Sequence, residues 1–125
     1  MLRTLLAGSG GFFGAAARYW LGGLVHRHLG AAFPYGTLVI NVSGCFAIGF
    51  LGVLAEERLT LGPGARVFWM IGVLGGYTTF SSFGYETMAL LREGSSGAAL
   101  LNVGAQVILG LLAVWAGAAL ARMAA

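Results

Sequence analysis

The residues of this chain that could do chemistry are few, and they stand in apolar surroundings. Three side-chain amides, Asn41, Asn102 and Gln106, interrupt stretches of Ala, Val, Leu and Ile. An amide in hydrocarbon must find a hydrogen-bond partner. Thr37 and Asn41 are one helical turn apart, as are Asn102 and Gln106, so each pair shares a helix face. Such a stripe has two readings. It is an interhelical hydrogen bond, worth about 0.6–2 kcal/mol, or it is a polar track along a pore. For Asn41 alone the hydrogen bond is the preferred reading. Two amide stripes on separate segments either satisfy each other or together line a wet track, offering N–H donors as well as acceptors.

The densest cluster is Gly75-Gly76-Tyr77-Thr78-Thr79-Phe80-Ser81-Ser82-Phe83. The glycine pair is expected to interrupt a helix and free backbone carbonyls. The hydroxyls that follow can cap the restarted half-helix. Broken backbone at membrane depth is tolerated only where protein buries it or water lines it. Freed carbonyls bind small cations, and half-helix N-termini attract anions. Phe80 and Phe83 lie three apart, on one face of the restarted helix. Such a pair is commonly packing, but a ring edge carries positive quadrupole. With amide donors and the hydroxyls of Thr79 and Ser82, ring edges make a surface suited to a small, hard anion.

Other polar residues are isolated. Glu86, one turn beyond Phe83, is either a proton carrier within the membrane or an interfacial carboxylate paired with an arginine; its place near the segment end favours the second. Arg18 either snorkels to the interface or supplies a fixed charge at a vestibule. His26 and His28 flank Arg27, and alternate histidines alone do not make a metal site. Cys45 reads as a small apolar filler. No Zn-peptidase helix, phosphate loop or Ser-His-Asp set is present, so the chain is not expected to be an enzyme.

The elements that must hold these residues follow from composition. The chain has 125 residues, 58% hydrophobic and 9% charged, with a mean hydropathy of +0.87. Soluble proteins average roughly 25% charged residues, so the expectation is an all-α integral membrane protein. Cutting at the charges leaves four apolar segments in one domain spanning 1–125, at about 4–25, 32–55, 66–91 and 98–121. Each is long enough to cross a bilayer, which takes about 20 residues, and the third is expected to be broken mid-membrane. The N-terminal run resembles a signal peptide faintly but reads as a retained first helix, because three further segments follow and its glycines are spaced for close packing. Gly10 and Gly14, and Gly72 and Gly76, have GxxxG spacing. All seven basic residues are arginines. Four of them (Arg3, Arg58, Arg66, Arg122) fall on one side of four spans; Arg27, Arg92 and arguably Arg18 fall on the other. So weak a bias scarcely sets orientation. It reads either as a faint signal or as dual topology. Four thin helices enclose an aqueous path poorly, so a homodimer is expected if anything is conducted.

The Gly75-to-Phe83 run with Glu86 closely resembles the third-helix signature of the Fluc (CrcB) fluoride channels. Gly36-Thr37-Leu38-Val39-Ile40-Asn41 with Gly44 resembles the family's second helix, and Gly10-Gly11-Phe12-Phe13-Gly14-Ala15 leading to Arg18-Tyr19 its first. The resemblance implies an antiparallel, dual-topology homodimer of four-helix subunits in a prokaryotic inner membrane, with two anion pathways. It implies passive fluoride export that lowers toxicity. Phe80, Phe83 and Asn41 would line the pathways, with Thr37 one turn away. A structural sodium ion at the dimer centre would be held by the carbonyls of Gly75 and Thr78. In the fourth segment many relatives carry a hydroxyl-bearing track where this chain has Asn102 and Gln106. The alternative, a small dual-topology proton-coupled multidrug exporter, wants a carboxylate in the first helix, and none is present.

Overall fold

The computed structural model describes residues 1–124. Its elements are α1 (Leu2–Leu29), α2 (Tyr35–Glu56), α3 (Pro63–Arg66), a π-helical stretch (Val67–Val73), α4 (Leu74–Tyr77), α5 (Phe80–Arg92) and α6 (Ser96–Met123), and among the described residues there is no strand. α2 and α6 are long and apolar enough to cross a membrane. The side-chain distribution fits that medium. Phe12, Trp20, Ile71, Leu111 and Trp115 face outward, whereas Asn102 is the largest side chain that is completely buried. Polar groups inside and large apolar groups outside is the arrangement hydrocarbon favours.

Several boundaries differ from expectation. α1 does not stop at the charged knot but runs through His26-Arg27-His28 to Leu29. Basic side chains in a last turn complement the negative end of the helix dipole, and Gly30, at φ 77°, turns the chain away. α2 starts at Tyr35, three residues after the expected segment start, with Pro34 just ahead of it. The helical path of the third segment starts at Pro63, ahead of Arg66.

Gly75 and Gly76 do not interrupt the third segment, which corrects the expectation drawn from them. Both are helical, within α4. The chain leaves the helix at Thr78 (φ −81°, ψ 156°) and Thr79 (φ −151°, ψ 113°) and re-enters it at Phe80. The glycines serve packing instead. A Cβ on Gly76 would sit 2.5 Å from the Gly11 carbonyl oxygen, and one on Gly72 would sit 2.8 Å from that of Ala7. Gly10 and Gly14 answer from α1, against the backbone of Phe68, Val73 and Tyr77. The π-helical stretch lies on this seam, and Leu74 N–H still reaches back five residues to the Trp69 carbonyl.

The other long contact is α2 on α6. Here Gly49 lies against the carbonyl of Val114 and Gly117 against that of Phe46. α5 rests on α6. At one end of the bundle arginines hold the helix ends together. Arg122 Nε donates to Glu57 Oε2 at 2.9 Å, Arg58 Nη2 donates to the Arg122 carbonyl at 2.9 Å, and Arg66 donates to the carbonyls of Leu61 and Ala55. The Arg122 guanidinium holds the Glu57 carboxyl below the usual carboxylate range.

Candidate ion pathway and cation site

The site is built around the two extended residues Thr78 and Thr79. A helix interrupted here leaves backbone groups without their usual partners, and a side chain from α2 takes them up. Asn41 Oδ1 accepts from Thr79 N–H at 2.9 Å, and Asn41 Nδ2 donates to the Thr79 carbonyl at 3.0 Å. The amide thus pairs with one residue's backbone on both sides, as a neighbouring strand would. Its second hydrogen goes to Gln106 Oε1 at 2.9 Å. With both hydrogens committed, Asn41 holds the interruption open.

The two amide stripes satisfy each other. Gln106 Nε2 lies 3.4 Å from Asn102 Oδ1, and Asn102 Nδ2 donates to Thr87 Oγ1 at 3.0 Å. Thr87 in turn donates to the Phe83 carbonyl at 2.7 Å. A polar chain therefore runs from Thr79 through α2 and α6 back to α5. Asn102, at 0% exposure, lines neither of the cavities described below. Its amide is enclosed between α5 and α6, where it ties Gln106 to Thr87. Thr87 was not singled out from the sequence; it lies one turn beyond Phe83, but nothing in its spacing announces Asn102 as its partner.

Thr79 caps α5: its Oγ1 accepts from Ser82 N–H at 3.1 Å and lies within hydrogen-bond reach of the hydroxyls of Ser81 and Ser82. These bonds bear on the carbonyls. Thr79 N–H would have closed the helical bond to Gly75, and Ser82 N–H the one to Thr78. Both are diverted. Among the described residues, neither carbonyl has another backbone donor. Two carbonyls without donors, one turn apart and beside an exposed Gly75, are the donor type a hard monovalent cation takes.

Two cavities meet at Thr79. One is an open cleft of about 1000 Å³, where Arg18, Thr37, Ser82 and Glu86 also lie. The other is an open groove of about 460 Å³ along Asn41, Gly75, Thr78, Phe80, Phe83 and Gln106. Phe80 and Phe83 have ring centroids 5.3 Å apart at 53°, and Phe80 is 84% exposed. Gln106 keeps one Nε2 hydrogen beyond its bond to Asn102. The groove therefore offers ring edges and an amide donor next to the carbonyl pair.

Glu86 differs from expectation. It is not paired with an arginine: Thr37 Oγ1 donates to its Oε1 at 2.7 Å, and its Oε2, enclosed, has no partner among the described residues. Thr37 and Glu86 are far apart in sequence, and only the packing of α2 on α5 joins them. Ser43 and Tyr77, whose hydroxyls are 2.7 Å apart, also escaped notice in the sequence. The histidines separate: His28 Nδ1 lies 2.9 Å from the Leu24 carbonyl, while His26 borders the cleft.

The family model described as CrcB-like protein, Camphor Resistance (CrcB), matches residues 5–118. The chain is 52% identical over 121 residues to a fluoride-specific ion channel FluC of Solibacter usitatus, covering 97% of this chain and 99% of that one. It is 46% identical over 122 residues to the protein of the same name from Rhizobium meliloti, covering 98% of each. To that of Methylocella silvestris it is 50% identical over 110 residues, covering 86% of this chain and 84% of that one.

Proposed function

The chain belongs to the CrcB family, and from that premise we propose that it is a fluoride-selective ion channel that lets fluoride leave the cytoplasm passively and so lowers its toxicity. The observation that carries this reading is near full-length kinship with proteins named for fluoride-specific conduction. Channel, rather than enzyme or proton-coupled exporter, is the class that kinship supports.

The residues suit the task. Fluoride is small and tightly hydrated, so a pathway must replace its water with strong donors in a narrow space. Arg18 in the cleft attracts the anion by field. The hydroxyl of Ser82, which accepts from Thr79 Oγ1, receives it beside Thr37, Thr79 and Glu86. The groove then offers the edges of Phe80 and Phe83 and the free hydrogen of Gln106. Chloride is larger and a weaker acceptor, and gains less from the same donors. Flow needs no coupling: a negative-inside potential drives an anion out by roughly 2.3 kcal/mol per 100 mV.

A single copy leaves this groove open, with Phe80 and the Gly75 carbonyl on its surface. Four spans per copy, the third interrupted mid-membrane, and an antiparallel homodimer would close it; the near-balanced arginines are compatible with insertion in both orientations. Gly75 and Thr78 carbonyls from both copies would hold a sodium ion at the dimer centre. When bound, it supplies positive charge to carbonyls that otherwise lack donors. The prokaryotic inner membrane is the site where such export has its use.

Purified protein in liposomes is expected to pass fluoride and exclude chloride, with no requirement for a proton gradient. Equal chloride flux, or strict proton coupling, would overturn the reading.

A further inference from the structure

The wall of the open cleft carries two arginines and a histidine as well as two carboxylates. α1 contributes Arg18, His26 and Arg27 to its wall, because the helix continues past the charged knot instead of ending before it. His26 and His28, two apart in sequence, are used differently. His28 is bonded back to the Leu24 carbonyl on its own helix, whereas His26 is exposed and borders the cleft. Glu86 of α5 and Glu93, just past the end of that helix, also border the cleft, and Tyr19 from α1 and Tyr35 from α2 complete the titratable groups on its wall. Glu86 is engaged by Thr37 through one oxygen, and among the described residues Glu93 makes no ion pair. The cleft leads to Thr79, where it meets the groove.

We propose that His26 is a protonatable capture residue: in acid it adds a third positive charge beside Arg18 and Arg27, and raises the rate at which fluoride enters the pathway. Histidine is the side chain whose charge ordinarily changes across the physiological range. Arg18 and Arg27 are formally balanced on this wall by Glu86 and Glu93, so a proton on His26 tips the cleft to a net positive charge, which concentrates an anion and does so less as salt is added. The inference rests on the channel reading, and it gives that channel an entry rate that follows the acidity at the mouth of each cleft. Acid is the condition under which neutral HF crosses membranes and fluoride must be cleared. The arginines cannot report that condition, because they stay charged throughout.

The test is fluoride efflux from liposomes holding the full chain, with the leak of protein-free liposomes subtracted at each pH. At low salt and subsaturating fluoride, the initial rate should rise about two- to threefold between about pH 8 and pH 6. His26→Ala should keep the rate of the alkaline state at both pH values. His26→Arg should hold the faster rate at both, which a purely structural role for the ring would not produce. His28→Ala should retain the full pH response, and added impermeant salt should flatten it. Fluoride flux in the wild type that is independent of pH, or a pH response that survives in His26→Ala, overturns the proposal while leaving the channel reading standing. Absence of fluoride flux altogether is the outcome that strikes the channel reading instead.

Discussion

Asn41 shows how one amide carries two kinds of work. By type and position it was a pore-lining or interhelical group; in the fold it grips both backbone groups of Thr79 and still reaches Gln106. Asn41→Ala would orphan the Thr79 N–H and carbonyl in an apolar setting, at about 1–3 kcal/mol for each group left unsatisfied. Fluoride flux and thermal stability should therefore fall together. Phe80→Ile and Phe83→Ile should separate them: flux falls while the melting temperature stays close to that of the parent, since Phe80 contributes little to the packing of its own copy. Flux and thermal melts in detergent on the same three preparations make the comparison. An Asn41→Ala protein that melts normally but conducts nothing would place the amide on the ion instead of on the backbone.

At the scale of elements, the bundle is held by backbones in contact, and glycine sets how near they come. A Cβ on Gly49 would sit 2.9 Å from the Val114 carbonyl carbon, while one on Gly52, a turn away on the same helix, would meet nothing within 4 Å. Gly49→Ala should therefore destabilise by about 1–3 kcal/mol, the range for overpacking a close contact. Gly52→Ala should be neutral or stabilise by up to about 1 kcal/mol, from helix propensity alone. Matched losses in both would mean that α2 and α6 do not touch along this seam. The same logic explains the third segment. Gly72 and Gly76 look like helix breakers in a list of propensities, yet they are the residues that let α1 lie against the π-helical stretch and α4. The interruption falls two residues further on, where Asn41 offers Thr79 a better partner than the next turn does.

For the whole molecule, the exposed groove and the donorless carbonyls of Gly75 and Thr78 set the expectation. If the proposed dimer is held by sodium, exchanging sodium for a bulky organic cation should dissociate it or abolish flux, and sodium should restore it. Gel filtration and liposome flux read the two effects, and an assembly that is indifferent to sodium would remove the cation from the interface. At the end of the bundle where Arg122 meets Glu57, acid should loosen the tie between α2 and α6. The Glu57 carboxyl is held low by Arg122, so its contribution is present above the carboxyl's ordinary range and is lost as pH falls through the lowered one.

The sequence by itself determined the medium, the class and the list of polar residues. A chain so poor in charge has to leave its apolar surface in lipid, and amides and hydroxyls in such a chain need partners; neither inference requires coordinates. The resemblance in the Gly75-to-Phe83 run pointed to the family, to which the chain belongs. What the tertiary structure decided was pairing. Helical periodicity places Thr37 with Asn41 and Asn102 with Gln106 on shared faces, but a face does not name its neighbour. Only packing brings Thr37 to Glu86, Asn41 to Thr79, and Asn102 to Thr87. It also moved the interruption from the glycines to the threonines and turned His26 toward the cleft but not His28. In each case the energy lies in a hydrogen bond or a close contact between residues distant in sequence, where local spacing carries no information.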